Sequence, residues 1–168
     1  MDYEFSKILV IEVKNDDNDW DTIEHEMKIT FPIDYKKFID LYGEGAINDF
    51  LWILSPFSEY ENLNTKVKIK EMYEAYKILK NDHPEICEFE IYNGEVGIFP
   101  WGITDNGDEL YWYFSKKETS IVVIESRFSN KKIYHMSMTE FLYNLVDKNI
   151  VCTIFPDDFI RNENYYNL

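Results

Sequence analysis

Residues Phe99 to Phe114 read FPWGITDNGDELYWYF, in which a strong turn signal lies between two apolar segments. Asn106-Gly107 predicts a two-residue type I′ turn, because that turn needs a positive φ at both central residues. The pairs across such a hairpin are Asp105 with Asp108, Ile103 with Leu110, Trp101 with Trp112 and Phe99 with Phe114. A slip of one residue would move both tryptophans to the mixed opposite face. The stretch therefore predicts the centre of an antiparallel sheet that helices cover.

The composition is that of a folded protein. The chain has 168 residues, of which 45% are hydrophobic and 17% are aromatic, and this length suits one domain that buries roughly 70% of its unfolded surface. Cys87 and Cys152 are expected to be free, buried thiols, because the opening MDYEFSK has no signal-peptide features. No apolar run approaches the roughly 18 residues of a membrane span. We therefore expect a soluble, cytoplasmic protein.

The formal net charge is −15, from 17 basic and 32 acidic residues. A field of this sign repels nucleic acid and anionic membranes, and it attracts basic proteins. The first 60 residues are the most acidic part, with 14 acidic and 5 basic residues. The surplus either recruits a basic partner or only keeps the protein soluble.

Four helices are predicted from apolar spacing and from residues that suit helix starts. These starts are Asp19, Pro32, Thr65 and the capping box Ser137-Met138-Thr139-Glu140. Besides the central hairpin, strands are predicted at residues 50–54, 121–124 and 132–136. Residues 8–13 predict a short strand or an extended N-terminal arm, and residues 162–168 predict a frayed tail.

Motifs for metal binding are missing from the sequence. Asp17, Asp19 and Asp21 begin like a calcium loop, but Thr22 stands where the sharp turn needs glycine and Lys28 where a bidentate glutamate belongs. The three histidines lie in unrelated segments without ligand spacing. We therefore expect neither a metal nor a cofactor.

Catalytic motifs are also missing, since no nucleophile elbow, Walker motif or dinucleotide fingerprint occurs. Asp105, Asp108 and Glu109 could supply the carboxylate pair of a glycoside hydrolase. An acid catalyst needs a pKa raised by burial, and a hairpin turn is expected to be wet. The sequence thus predicts that the protein is not an enzyme.

The segment FPIDYKKF at residues 31–38, followed by Tyr42-Gly43, resembles a motif of the SUKH superfamily of Smi/Knr-like domains. The residues that carry the resemblance are Trp20, Pro32, Tyr35, Phe38, Gly43, Gly107-Asp108, Tyr111, Trp112 and Phe141-Leu142. It covers residues 19–155, and Phe31 replaces the usual leucine. It implies a single α+β domain over residues 1–168, with helices packed on a mostly antiparallel sheet. Residues 1–18 form an N-terminal arm or strand outside the pattern.

The resemblance implies protein binding and not catalysis. In bacteria such domains are frequently immunity proteins against secreted polymorphic toxins, and other members are eukaryotic regulators of cell-wall assembly and signalling or viral host-interaction domains. Together with the charge, it leads to the hypothesis of an immunity protein that neutralises a basic toxin domain, such as a nuclease. The alternatives are a regulatory or scaffold domain of the same fold and a carboxylate-dependent hydrolase.

The expected contacts with the toxin are acidic residues and exposed aromatic residues, because charge speeds encounter and aromatic anchors give specificity. We expect no nucleic acid, membrane or small-molecule partner. The candidates are Asp17, Asp19, Asp21, Glu44, Asp49, Tyr60, Asp105, Asp108, Glu109 and Tyr111.

Overall fold

The computed structural model describes residues 4–7, 9–14, 16–127, 130–159 and 165–167. These residues form an α+β fold, as expected. The helices are α1 (Trp20–Met27), α2 (Ile33–Tyr42), α3 (Thr65–Asp82) and α4 (Met138–Val146). The strands are β1 (Gly45–Ile47), β2 (Leu51–Ile53), β3 (Gly97–Thr104), β4 (Glu109–Phe114), β5 (Thr119–Ile124), β6 (Lys131–Tyr134) and β7 (Tyr165–Asn167).

The seven described strands form one sheet in the order β6-β5-β4-β3-β2-β1-β7. All neighbouring strands are antiparallel, and the β3–β4 hairpin lies at the centre, as predicted. At one edge, Asn167 of β7 pairs with Gly45 of β1. The frayed tail predicted for residues 162–168 is therefore wrong for residues 165–167, because β7 satisfies backbone groups that β1 would otherwise leave unpaired. Residues 162–164 and 168 lie outside the described part of the chain.

The central hairpin has a different register from the predicted one. Phe99 pairs with Trp112, not with Phe114. The Gly107 N–H donates to the Thr104 C=O at 2.9 Å and the Thr104 N–H donates to the Asp108 C=O at 2.9 Å. This is a three-residue loop in which a type I turn is followed by a left-handed glycine with a φ of 83°. The described residues with positive φ do not include Asn106, so the predicted type I′ turn is wrong.

A β-bulge in β3 explains the rest of the shift. Pro100 pairs with Tyr111 and Gly102 pairs with Leu110, so that Trp101 is an extra residue on this strand. The extra residue reverses the alternation, and Ile103 consequently packs on the opposite face from Trp101. The predicted face shared by these two residues is therefore wrong. The bulge also explains how Pro100 fits inside the sheet, because a bulge leaves one ladder position unpaired and proline has no N–H to donate.

Helices cover both faces of the sheet. On one face, apolar residues of β3 to β5 pack against α1, α2 and α4, with Trp101, Trp112 and Phe141 at the centre. On the other face, Tyr111 of β4 packs against Tyr76 of α3. The two clusters explain why β5 is apolar on both sides: all five residues from Ser120 to Ile124 are buried.

The N-terminal segment is an arm along α2. A 3₁₀ turn at Phe5–Lys7 opens it, and residues 9–14 form no β-strand beyond a single bridge at one residue. The Lys14 N–H donates to the Leu41 C=O at 2.7 Å. The Phe5 side chain is 1% exposed, and its ring lies 5.2 Å from the ring of Phe38. Of the two forms predicted for this segment, the arm is therefore the observed one, although Ile8 lies outside the described residues.

The remaining global expectations concern thiols and membrane spans. Cys87 and Cys152 are both free and buried, as expected. Among the described helices, none is both long and apolar enough to cross a membrane.

Replacing Trp101 or Trp112 by alanine should lower the free energy of unfolding by about 3 to 5 kcal/mol, because truncating a buried aromatic residue leaves a cavity. Both side chains are at most 1% exposed, and their rings lie 6.3 Å apart. Urea unfolding measures the loss. The matched surface variant Ile78→Ala, at a site 63% exposed, should change stability by less than about 0.5 kcal/mol.

Phe5→Ala should destabilise the protein by a similar amount, about 3 to 5 kcal/mol, if the arm is part of the core. Val10→Ala serves as the control within the same arm, because Val10 is 73% exposed. A loss under about 1 kcal/mol for Phe5→Ala would show that the arm detaches without cost to the domain.

Candidate functional site

An acidic groove of about 420 Å³ lies between the N-terminal arm, the end of α2 and the loop that follows β2. Its lining contains three carboxylates and a single lysine. The lining residues are Lys14, Asp16, Asn18, Ile39, Gly43, Glu44, Ser55, Phe57, Glu59 and Tyr60. We call this set the acidic groove.

Asp40 of α2 fixes the arm side of the acidic groove. Its Oδ1 accepts hydrogen bonds from Asn18 Nδ2 and Trp20 Nε1, each at 2.8 Å. Its backbone C=O accepts from the Asp16 N–H at 2.7 Å. The carboxylate and the backbone carbonyl of one residue, Asp40, thus hold the backbone that carries Asp16 and Asp17 against α2.

Gly43 shapes the end of the acidic groove next to α2. Its φ is +70°, a conformation that side chains rarely adopt, and its N–H donates to the Ile39 C=O at 2.8 Å. A Cβ at this position would lie 3.1 Å from Lys14 Cδ. Glycine therefore ends the helix, lets the Lys14 side chain pass closely, and directs Glu44 towards the groove.

The loop at residues 58–64 holds Tyr60 in place. Ser58 Oγ accepts from the Tyr60 N–H at 3.1 Å, and the Tyr60 C=O accepts from the N–H groups of Leu63 at 3.0 Å and Asn64 at 2.9 Å. Asn64 Nδ2 in turn donates to the Ser58 C=O at 2.6 Å. The Tyr60 residue is nevertheless 51% exposed. An exposed aromatic side chain on an ordered backbone loses little further entropy on binding.

Three of the predicted contacts lie at or beside the acidic groove. Glu44 and Tyr60 line it. Asp17 is exposed and lies between the lining residues Asp16 and Asn18. Two more exposed acids follow at the start of α1: Asp19 and Asp21.

Asp19 has a structural role in addition to its charge. Its Oδ1 accepts from the Thr22 N–H at 3.1 Å and so caps α1, as predicted. This hydrogen bonding lowers the pKa of Asp19, because it favours the ionised form.

Asp49 and Asp105 form a second patch away from the groove. Asp49 and its neighbour Asn48 have φ values of 53° and 51°, so both central residues of the β1–β2 turn have the positive φ that a type I′ turn needs. Next to it, the Asp105 N–H donates to the Phe50 C=O at 3.0 Å. Because β1 runs from the groove towards Asn48, Glu44 and Asp49 lie at opposite ends of this strand. The predicted acidic residues thus form two surfaces and not one.

Two predicted contacts are wrong, because their side chains are buried. Asp108 is 2% exposed, and its carboxylate accepts from Thr104 Oγ1 at 2.8 Å and from the Ser126 N–H at 3.0 Å. Tyr111 is fully buried, and its hydroxyl donates to Glu109. Asp108 joins two loops at one end of the sheet, and Tyr111 fills the core beneath α3.

Glu109 is half-buried, so the expectation of a wet turn is wrong for it as well as for Asp108. Burial raises the pKa of Glu109, whereas the Tyr111 hydroxyl and the charge of Lys68 act in the opposite direction. Neither Asp108 nor Glu109 lines the acidic groove. A raised carboxyl pKa is a property that acid catalysts need, so Glu109 is the residue on which the hydrolase alternative depends.

Ser120, His135 and Glu118 lie together at the start of β5, at the end of the strand away from Ser126. Ser120 Oγ is 3.2 Å and Glu118 Oε1 is 2.7 Å from the same ring nitrogen, His135 Nδ1. A catalytic triad uses both ring nitrogens, one for the nucleophile and one for the acid. The observed arrangement therefore differs from that of a triad.

Sequence reasoning missed most lining residues of the acidic groove, among them Asp16, Phe57 and Glu59. Asp16 belongs to the same acidic run as Asp17, and Glu59 directly precedes Tyr60. The sequence signal for Phe57 and Glu59 is the segment after Ser55-Pro56, in which aromatic and acidic residues lie among polar residues. Its position opposite the arm follows only from the packing of Phe57 on Trp20, whose rings lie 4.8 Å apart.

A family model described as SUKH_6, SMI1-KNR4 cell-wall, matches residues 17–142 of the chain. No curated protein and no solved structure matches the chain. The matched range contains most lining residues of the acidic groove, and it leaves out Lys14 and Asp16 on the arm.

Glu109→Gln should be more stable than the wild type at pH 7. The amide oxygen of the variant still accepts from the Tyr111 hydroxyl. The variant also avoids the free-energy cost of burying the charge of the Glu109 carboxylate. Because burial raises the pKa of Glu109, the folded protein binds more protons than the unfolded chain between the two pKa values, and wild-type stability falls as the pH rises through this window. Urea unfolding across pH should show a difference that disappears below the ordinary glutamate pKa of about 4.3.

The control for this series is Glu95→Gln, since Glu95 is exposed. It should follow the wild-type pH profile. A Glu109→Gln protein that is less stable than the wild type at pH 7 would mean that the charge interaction with Lys68 outweighs burial.

Proposed function

Because the chain belongs to the SUKH family described as SMI1-KNR4 cell-wall, we propose that it is an immunity protein that binds and neutralises a basic toxin domain, such as a nuclease, inside the cell. Family membership supports a protein as the kind of partner. The observation that carries the finer proposal is the acidic groove with the exposed Tyr60 at its rim.

Charge supports the encounter with a basic partner. The net charge of the chain is −15, and the acidic groove adds Asp16, Glu44 and Glu59 within one concave surface. Complementary charge raises association rates to as much as the order of 10⁸ to 10⁹ per molar per second at low salt. Screening by salt shortens the Debye length from roughly 30 Å at 0.01 M to roughly 8 Å at 0.15 M. Association should therefore slow as ionic strength rises, while dissociation changes less.

Tyr60 supports specificity. Binding energy concentrates in a few aromatic and arginine residues near the centre of an interface. Tyr60 has the ordered backbone and the half-exposed side chain of such an anchor. Phe57, another lining residue, packs on Trp20 with ring centroids 4.8 Å apart, which attaches the loop to α1.

The second acidic patch fits the proposal less well. Asp105 Oδ1 already accepts from Trp52 Nε1 at 2.8 Å, and the buried Tyr111 supplies no exposed aromatic anchor there. We therefore assign the toxin to the acidic groove and use Asp49 and Asp105 as matched acidic controls.

A regulatory or scaffold domain of the same fold is the alternative function. It shares protein binding with the proposal but needs no toxin. An immunity gene lies immediately downstream of its toxin gene, so the protein encoded immediately upstream is the partner to test.

Tyr60→Ala should weaken binding to the C-terminal domain of that upstream protein by about 30-fold, which corresponds to about 2 kcal/mol for an anchor residue. The pair Glu44→Gln and Glu59→Gln should mainly slow association and reduce its salt dependence. Stopped-flow association at several salt concentrations measures both effects. Growth rescue in cells that express the toxin domain provides the functional readout.

Asp49→Asn and Asp105→Asn remove the same charge as the groove variants but lie at the other end of β1. They should leave affinity within about twofold, as expected for residues outside the contact. An equal loss in both sets would assign the effect to net charge and not to the groove. If the wild-type protein shows neither binding nor growth rescue, the immunity proposal is refuted.

The hydrolase alternative rests on the raised pKa of Glu109. We propose that this carboxyl has no catalytic role. Incubation of the wild-type protein with panels of glycans, nucleotides and esters should give no product. The binding-protein proposal would be overturned if the wild type showed turnover and Glu109→Gln abolished it. The variant must also show the cooperative unfolding of a folded protein.

A further inference from the structure

β6 ends the sheet, and no described strand lies on its outer side. The opposite edge differs, because β7 covers β1 there. An open edge strand presents unpaired N–H and C=O groups to which another strand can add.

The alternation of hydrogen bonds along the β5–β6 ladder shows which backbone N–H and C=O groups of β6 are unpaired. The Glu125 N–H donates to the Asn130 C=O at 3.0 Å, just before Ile124 pairs with Lys131. In an antiparallel ladder, hydrogen-bonded and non-hydrogen-bonded pairs alternate. Lys132 and Tyr134 therefore bond to β5, whereas the N–H and C=O groups of Lys131 and Ile133 point away from the sheet.

Apolar side chains accompany these open groups. Ile133 is 42% exposed and Val151 is 70% exposed. The Val151 C=O lies 3.5 Å from the Tyr134 hydroxyl, on the face where Tyr134 contacts Phe141. An added strand would find an apolar contact on each face of β6.

The charge around β6 is opposite to that of the whole chain. Residues 115–135 contain two acidic residues, Glu118 and Glu125, and five basic ones: Lys116, Lys117, Arg127, Lys131 and Lys132. Lys131 pairs with Glu88 at 2.7 Å, and Glu118 lies against His135. A strand that adds here meets a positive edge on a protein whose net charge is −15.

This charge decides between two occupants. Pairing of β6 with β6 of a second copy would bring four lysines together on a short ribbon and join two strongly acidic molecules, and like charges on paired strands are destabilising. An acidic segment instead places carboxylates opposite these lysines, and a short segment carries far less negative charge than a second copy of the chain. We infer that the outer edge of β6 accepts an extended, acidic segment of a partner protein as an added strand. This site is separate from the acidic groove and independent of the proposed function.

The probe is a capped ten-residue peptide of glutamate, threonine and valine, and its matched control has lysine at every glutamate position. Hydrogen exchange followed by NMR should show at least about tenfold slower exchange at the amides of Lys131 and Ile133 when the acidic peptide is present at millimolar concentration. The amides of Lys132 and Tyr134 are already bonded to β5 and should change less. The lysine peptide should have no effect.

Ile133→Pro removes only an outward N–H, a position where edge strands tolerate proline. It should lower the affinity for the acidic peptide at least about tenfold, whereas Ile133→Thr, which keeps the N–H, should stay within about twofold. Tyr60→Ala should not affect this peptide. If Ile133→Pro does not fold, N-methylation of the peptide at alternate residues replaces it: one alternate set should abolish binding and the other should not.

Three results would overturn the inference. The first is no change at the Lys131 and Ile133 amides with the acidic peptide, which would leave the lysines as a guard against edge-to-edge association. The second is equal binding of the lysine peptide. The third is protection of these amides that grows with protein concentration alone, which would assign the edge to a second copy.

Discussion

Tyr35 joins the helical layer to the sheet through two different contacts. Its ring packs edge-on against Trp112 with centroids 4.8 Å apart, and its hydroxyl donates to the Leu54 C=O at 2.6 Å. Burial raises the pKa of Tyr35, so the hydroxyl remains a donor throughout the physiological range. The first contact sets α2 on the central hairpin, and the second fixes the end of β2 relative to α2. Through these two contacts Tyr35 ties α2, whose end at Gly43 lines the acidic groove, to the end of β2, from which the loop with Tyr60 begins.

The acidic composition serves the fold as well as the surface. Asp34 Oδ2 accepts from the N–H and the hydroxyl of Thr139 at 3.0 and 3.1 Å, which ties the start of α4 to α2. Asp40 and Asp108 hold the arm and the hairpin loop in the same way. Each of these carboxylates forms hydrogen bonds to fixed donors and is less available to a partner. The net charge therefore overstates the charge available for binding, and the groove acids carry the functional argument because they lie together on a concave surface.

Segments outside the family match add to the core and cover the β1 edge of the sheet. Phe5 and Leu9 precede residue 17, Cys152 and Phe155 follow residue 142, and all four belong to the same core cluster. Phe50 in the β1–β2 turn contacts Phe155, with ring centroids 5.6 Å apart, and β7 pairs with β1. The arm and the C-terminal segment thus close the β1 side with aromatic packing and backbone pairing. On the β6 side no described strand pairs with the outer edge, and the lysines there oppose the sign of the net charge of the chain.

Local physics in the sequence determined the helix starts at Asp19 and Ser137, the antiparallel character of the sheet and the family resemblance. Each of these depends on residues close together in the chain: a side-chain oxygen near free N–H groups, or alternating apolar residues. Tertiary structure alone decided the hairpin register and the exposure of the acidic residues. A Cβ at Gly102 would lie 3.1 Å from the Trp52 carbonyl oxygen of the neighbouring strand, so the bulge depends on a contact between distant segments. In the same way, Asp108 is buried where Ser126 approaches from the next loop, and the loop that carries Tyr60 is placed by the packing of Phe57 on Trp20 of α1. Neither contact is encoded in the residues beside it in the chain.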